Sequence, residues 1–168
     1  MDTQQSKDDF LQLILDNKAI IIKICNSYCT DKNYREDLGQ EIIYHLWKSG
    51  KRFNSDHKFT TWMYRIALNV AISFYRKEKK STAIITTTDS HTDLEDKAGM
   101  GDETENNIGL LQQFISELNE LDKALMILYL EEKSYHEIAE ILGISETNTA
   151  TKISRIKTRL KQNFATIK

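Results

Sequence analysis

The chain has 168 residues, of which 40% are hydrophobic and 29% charged, and its net charge is −2. That is enough for packed cores in one domain or two small ones. With no proline and six glycines, long helices are the default, and no apolar run reaches the roughly 18 residues that a membrane span needs.

The N-terminal stretch MDTQQSKDDF is acidic and polar and lacks the basic and apolar parts of a signal peptide, so a cytoplasmic location is expected. From Asp8 to Cys29, apolar residues including Phe10, Ile14, Ile21 and Ile24 recur at helical spacing and predict a first helix. Cys25 and Cys29 share a face of it. No further metal-ligand residues lie near them, so they read as two small buried hydrophobes. A polar turn, DKNYRED, precedes a second helix, Tyr34 to Lys48, with Leu38, Ile42, Leu46 and Trp47 on its apolar side. Ser49 to Lys58 reads as a loop. Phe59 to Lys80 is a third, long helix, in which Phe59, Trp62, Met63, Ile66, Val70 and Phe74 step by three or four.

After Lys80 the periodicity stops. Ser81 to Asn107, rich in Thr, Ser, Asp and Glu, reads as a flexible acidic linker. Order resumes near Ile108 with a helix through Leu111, Phe114, Ile115 and Leu118, then another from Leu121 to Glu131. SYHE, Ser134 to Glu137, fits a capping box, with Tyr135, Ile138, Ala139 and Leu142 as the buried face behind it. Gly143 supplies a turn of positive φ. Ser145 caps a last helix with Thr149, Ile153, Ile156 and Leu160 inward. The expected fold is all-α: two small helical domains, 1–80 and 108–168, joined by the linker 81–107.

Charge is patterned along this plan. Lys51 to Lys80 holds eight basic and two acidic residues, Ser81 to Asn107 one basic and seven acidic, and Ser145 to Lys168 six basic and one acidic. Two basic segments flanking an acidic one point to nucleic acid. The C-terminal unit is a helix-turn-helix. Ala139 permits close approach of its two helices, and Ser145, Thr147, Asn148, Thr151, Lys152, Ser154, Arg155 and Lys157 stand off the apolar stripe. Short polar side chains suit base edges in a major groove, and Lys and Arg suit phosphates. The third helix differs, mixing aromatics with Arg65, Arg76, Lys77, Lys79 and Lys80. Aromatic faces beside cations suit unpaired bases.

These residues, in this order, resemble an extracytoplasmic-function (ECF) sigma factor of the bacterial primary-sigma superfamily. The resemblance is carried by DLGQEIIYHLW (Asp37 to Trp47), FTTWMYRIALNVAISFYRK (Phe59 to Lys77) and SYHEIAEILGISETNTATKISRIKTRL (Ser134 to Leu160). It implies that the chain binds core RNA polymerase, recognises −35 and −10 type promoter elements and melts DNA to start transcription. By the same resemblance, Asp37, Gln40 and Glu41 dock on the clamp helices of the largest polymerase subunit, and the second domain meets the flap. Asn54, Ser55, Asp56, His57, Lys58 and Phe59 form the pocket for a flipped base. Trp62, Arg65, Asn69, Arg76 and Lys77 separate the strands or hold the backbone, with a structural role for Arg65 and Asn69 left open. Arg155 and Lys157 match the family's basic pair in the recognition helix, whereas Thr149 and Ala150 depart from its usual Val and basic residue. An anti-sigma factor is the further partner implied; no metal, cofactor or catalytic residue is.

As a free coil the 27-residue linker spans about 29 Å and fully extended about 90 Å, against roughly 50–55 Å between the two promoter elements. Two rival readings stand beside this one. A regulator that binds only duplex DNA is opposed by DLGQE and the aromatic, basic helix. A metal-dependent enzyme is opposed by four scattered histidines, His45, His57, His91 and His136, and by the lack of a glycine-rich phosphate loop.

Overall fold

The computed structural model describes residues 2–85 and 103–166, with side chains described from Lys7 to Ser81 and from Glu103 to Thr166. Eight α-helices are found there: α1 Asp2–Asp16, α2 Lys18–Tyr28, α3 Lys32–Ser49, α4 Phe59–Ile85, α5 Glu103–Glu117, α6 Glu120–Leu130, α7 Tyr135–Leu142 and α8 Glu146–Thr166. A 3-10 turn, Gly50–Arg52, follows α3. No strand occurs among the described residues. Helices α1 to α4 make the first domain and α5 to α8 the second.

The first expected helix is two helices. Asn17 leaves helical geometry at φ −105° and ψ 16°, and its side-chain amide donates to the Leu13 carbonyl at 2.9 Å. An Asn that satisfies a backbone acceptor with its own side chain competes with helix continuation. At the other end, α4 runs past Lys80 to Ile85, and α5 opens at Glu103, inside the segment expected to be irregular. Extending a formed helix by one residue costs far less than starting one, and Glu103 and Glu105 suit a helix N-terminus. The rest of the expected tether, residues 86–102, lies outside the described residues.

The first core is built from Ile14, Ile24, Leu38, Ile42, Leu46, Met63, Ala67, Leu68 and Ala71, each at most 1% exposed. Burial of side chains such as Leu38 and Ile42 contributes about 1.5–3 kcal/mol each. Trp47, expected among them, is 43% exposed, because the stripe through Leu38, Ile42 and Leu46 fills the space against α4. In the second domain α7 buries Ile138, Ala139 and Ile141, while Tyr135 sits at its exposed start. Thr149, Ile153 and Ile156 of α8 point inward as the spacing predicts.

Helix α6 is the hinge of the architecture. Every residue from Lys123 to Leu128 is buried, as expected of a helix that is covered all round. One side packs on α7 and α8, the other on α2 and α4 of the first domain. The two domains therefore touch. Tyr28 donates its hydroxyl to the Glu120 carbonyl (2.6 Å), Arg76 pairs with the Glu120 carboxylate (2.7 Å), and Lys23 pairs with Glu131. Tyr64 donates to the same Glu131 at 3.3 Å. Lys123 lies over the rings of Tyr28 (5.4 Å) and Tyr75 (4.7 Å) and donates to the Ser116 carbonyl at 3.1 Å. Burial pulls its pKa down and pushes those of Tyr28 and Tyr64 up.

Candidate nucleic-acid interface

In the first domain the expected base pocket is a short, pre-shaped loop. Asn54 accepts the backbone N–H of Asp56 (3.2 Å) and donates its amide to the Asp56 carboxylate (2.7 Å). The His57 N–H closes the turn onto the Asn54 carbonyl at 3.2 Å. This Asx turn leaves Asn54, Ser55, Asp56, His57 and Lys58 exposed at the start of α4. The Lys58 carbonyl then accepts from Trp62, the first bond of the helix.

Phe59 and Trp62 are only half-exposed. They belong to an aromatic cluster that the sequence reading did not assemble. Phe10 from α1 meets Phe59 edge-on (6.0 Å), Trp62 (5.8 Å) and Trp47 (6.4 Å). Phe53 meets Phe59 (5.4 Å) and Trp62 (5.2 Å). Such pairs are worth about 0.5–1.5 kcal/mol each beyond burial, so Trp62 holds the loop to the bundle as well as offering a ring edge. Gly50 makes room for this cluster: a Cβ there would sit 2.5 Å from the Phe10 ring. A cleft of ≈ 570 Å³ opens beside it, lined by Lys7, Phe10, Trp47, Lys51 and Phe53 among others.

Asp37, Gln40 and Glu41 all lie exposed on α3, with Glu41 3.7 Å from His45. Ile43, Tyr44 and Trp47 are exposed on the same helix, at 42%, 58% and 43%. The sequence reading missed this second apolar stripe. Its signal was present in EIIYHLW, which holds more apolar residues than one buried stripe can use. A groove of ≈ 630 Å³ between α3 and α4 brings Glu41 together with Asn69 and Lys77. Arg65 and Arg76, although exposed, are engaged elsewhere. Arg65 donates to the Glu140 carbonyl at 2.6 Å, and Arg76 pairs with Glu120, whose carboxyl is held below its ordinary pKa by that bond.

In the second domain the local signals resolve as capping chemistry. Ser134 accepts the Glu137 N–H (3.1 Å) and Glu137 accepts the Ser134 N–H (3.0 Å), a closed capping box. Gly143 has φ 68°. The Ser145 hydroxyl accepts the Asn148 N–H at 3.1 Å. The buried Thr149 donates its hydroxyl to the Ser145 carbonyl at 3.0 Å. Thr147, Asn148, Thr151, Ser154 and Arg155 then present one exposed line along α8, with Lys152 half-exposed beside it. Lys157 is turned toward Tyr129, donating to its hydroxyl at 3.2 Å. That bond raises the ammonium pKa.

Residues 13–81 match the family described as Sigma-70 region 2, and residues 108–160 match Sigma-70, region 4. The RNA polymerase sigma factor SigV of Bacillus subtilis is 30% identical, over 94% of this chain and 87% of its own length. This chain is an RNA polymerase sigma factor of the ECF group. The ECF sigma factor SigW of Bacillus subtilis is 28% identical over 94% of this chain and 90% of its own length. The fold agrees as well. The sigma factor RpoE, solved with the anti-sigma factor NepR from Bartonella quintana, superposes with a TM-score of 0.73 at 20% identity, covering 92% of this chain and 95% of that one. CnrH, solved with the cytosolic domain of CnrY, gives 0.67 at 17% identity, covering 97% of this chain and 94% of that one. Promoter recognition and transcription initiation follow from membership of the ECF family.

Both cysteines are buried and free. Burial, as the main cause, pushes each thiol up to about 11, which suits packing and not nucleophilic chemistry. No group of three or more His, Cys, Asp or Glu that could hold a metal occurs among the described residues. No helix among them is long and apolar enough to cross a membrane.

Proposed function

We propose that the two domains divide promoter recognition between them. The first, residues 1–80, docks through Asp37, Gln40 and Glu41 on the clamp helices of the largest polymerase subunit. Ile43, Tyr44 and Trp47 widen that contact. Its loop from Asn54 to Phe59 receives a base flipped from the −10 type element, while Asn69, Arg76 and Lys77 track the strand behind Trp62. The second domain, 108–168, reads the −35 type element as duplex through Thr147, Asn148, Thr151, Ser154 and Arg155, with Ser145, Lys152 and Lys157 at the edge of the contact. Its apolar groove between α5 and α8, which includes Ile108, Leu111, Leu160 and Phe164, receives the polymerase flap. Residues 81–107 join the two and carry the acidic charge.

The observation that carries this reading is the exposed polar and basic line on α8, held on one domain while a pre-shaped loop and aromatic cluster stand on the other. Major-groove reading asks for the first arrangement and strand capture for the second. The chain works by binding and not by catalysis: melting is driven by bases flipped and stacked on protein. It acts in the cytoplasm, where an anti-sigma factor holds it in reserve. The structure of RpoE with NepR supports that last assignment by analogy of fold.

The test is promoter opening. The chain is mixed with bacterial core polymerase and a genomic promoter library, and unpaired thymines are mapped chemically. Opening at a shared sequence, absent without either component, is expected. Duplex binding with no affinity for core polymerase would overturn the assignment of α3.

A further inference from the structure

The contacts between the domains have a consistent sign. Arg76 meets Glu120 at 2.7 Å, Lys58 meets Glu137 at 3.8 Å, and His57 faces Glu140 at 4.0 Å. Arg65 donates to the Glu140 backbone carbonyl at 2.6 Å. In each case the donor or cation belongs to the first domain and the oxygen to the second. These are not arbitrary cations: His57, Lys58, Arg65 and Arg76 all belong to the set assigned above to unpaired promoter DNA.

We infer that the second domain carries a carboxylate face, Glu120, Glu137 and Glu140, which occupies the single-strand site of the first domain in the free chain, so that the site opens only when the domains separate. The inference rests on the assignment of that site under the proposed function and adds its regulation. The cover is electrostatic more than steric. Lys58 keeps 78% of its side chain exposed and Arg76 61%, but the glutamates sit where phosphates would sit and repel them. The recognition line on α8 takes no part in these contacts. The free chain therefore offers its duplex reader while withholding its strand reader. Whatever separates the domains, core polymerase first among candidates, licenses strand capture after docking.

The experiment uses the full chain and a labelled degenerate single strand of about 12 nucleotides, an estimate of the span one small domain covers. Closure is read first. A zero-length carbodiimide cross-link between Lys58 and Glu137, mapped by mass spectrometry in the monomer, is expected. Affinity is read second, for the wild type, E120Q/E137Q/E140Q, and a control of equal charge change elsewhere, E36Q/E105Q/E117Q. Gln still serves the capping box at 137, so α7 keeps its start. The interface variant is expected to bind the single strand about tenfold tighter, because apparent affinity scales with the open fraction. The control should stay within about twofold. Equal gains in both variants would mean that net charge alone acts, and would overturn the inference. So would a wild type that already binds as tightly as the interface variant; if R76A then abolishes that binding, the strand site stands and only closure falls. If no variant binds the strand, even with core polymerase, the strand site itself is misassigned and the inference goes with it, whatever the cross-link shows.

Discussion

The two domains of this sigma factor are built in opposite ways. The second is specified by local chemistry: a capping box at Ser134, a left-handed Gly143, a cap at Ser145, and a recognition line open along α8. The first is specified by distant partners. Phe10, Trp47, Phe53, Phe59 and Trp62 come from three helices and a loop to hold one turn in place. Its cations, moreover, are engaged by the other domain. The contrast matches the ligands. Duplex DNA offers a fixed groove that a rigid helix can fit, whereas an unpaired strand must be shaped by the site that receives it.

The largest expected effect breaks the aromatic cluster. Trp62→Ala should destabilise the first domain by about 3–5 kcal/mol, read as a lower midpoint in urea. Because both tryptophans, Trp47 and Trp62, lie in the first domain, the fluorescence of the remaining Trp47 should report that unfolding while helical circular dichroism lags behind it. Coincident transitions by the two probes would mean the domains unfold as one. For the same reason Trp62→Phe, which keeps the packing, is the cleaner test of strand contact. Next comes Arg155→Ala, which should weaken duplex binding by about 1–3 kcal/mol and leave single-strand affinity in the presence of polymerase unchanged. Loss of both would show that the division between domains is not as drawn. Ser134→Ala removes the cap of α7 and should cost about 1 kcal/mol, visible as a lower melting temperature of the second domain alone.

The smallest effect concerns pH. Glu120 and Glu137 have pKa values lowered in the closed state, by the Arg76 bond and by the Ser134 N–H respectively. A carboxylate with a lowered pKa contributes at pH values above its ordinary range, and that contribution is lost as pH falls through the lowered value. Lys79 and Lys123 also face Glu120 and share in the effect. Exposed pairs are worth about 0–1 kcal/mol each, so the yield of the Lys58–Glu137 cross-link should be steady near neutrality and decline only in acid below pH 4.5. A decline near pH 7 would point to His57 as the controlling group.

Legibility in the sequence followed the same divide. The capping box, the Gly143 turn, the Thr149 and Ile153 stripe, and the burial of Cys25 and Cys29 were all readable, because each depends on neighbours within one or two turns. The break at Asn17 was not, since one Asn can either end a helix or ride on it. Nor was the continuous burial of α6, where Lys123 looks like a surface lysine until Tyr28 and Tyr75 are brought beside it. Arg65 and Glu140 are 75 residues apart, and no periodicity reports such a pairing. Positions with strand-binding character were found from their residue types, but that the same positions face glutamates was not.

Lys123 is the one charged side chain buried among the described residues. A leucine in its place would fuse α6 to α2 and α4 as a single core, and a chain pulled open there would expose an adhesive surface. A lysine costs some stability while covered and regains its hydration the moment the domains part. The seam is thus made to be both closed and reopened, and the newly uncovered flank of α6 carries its own solubiliser.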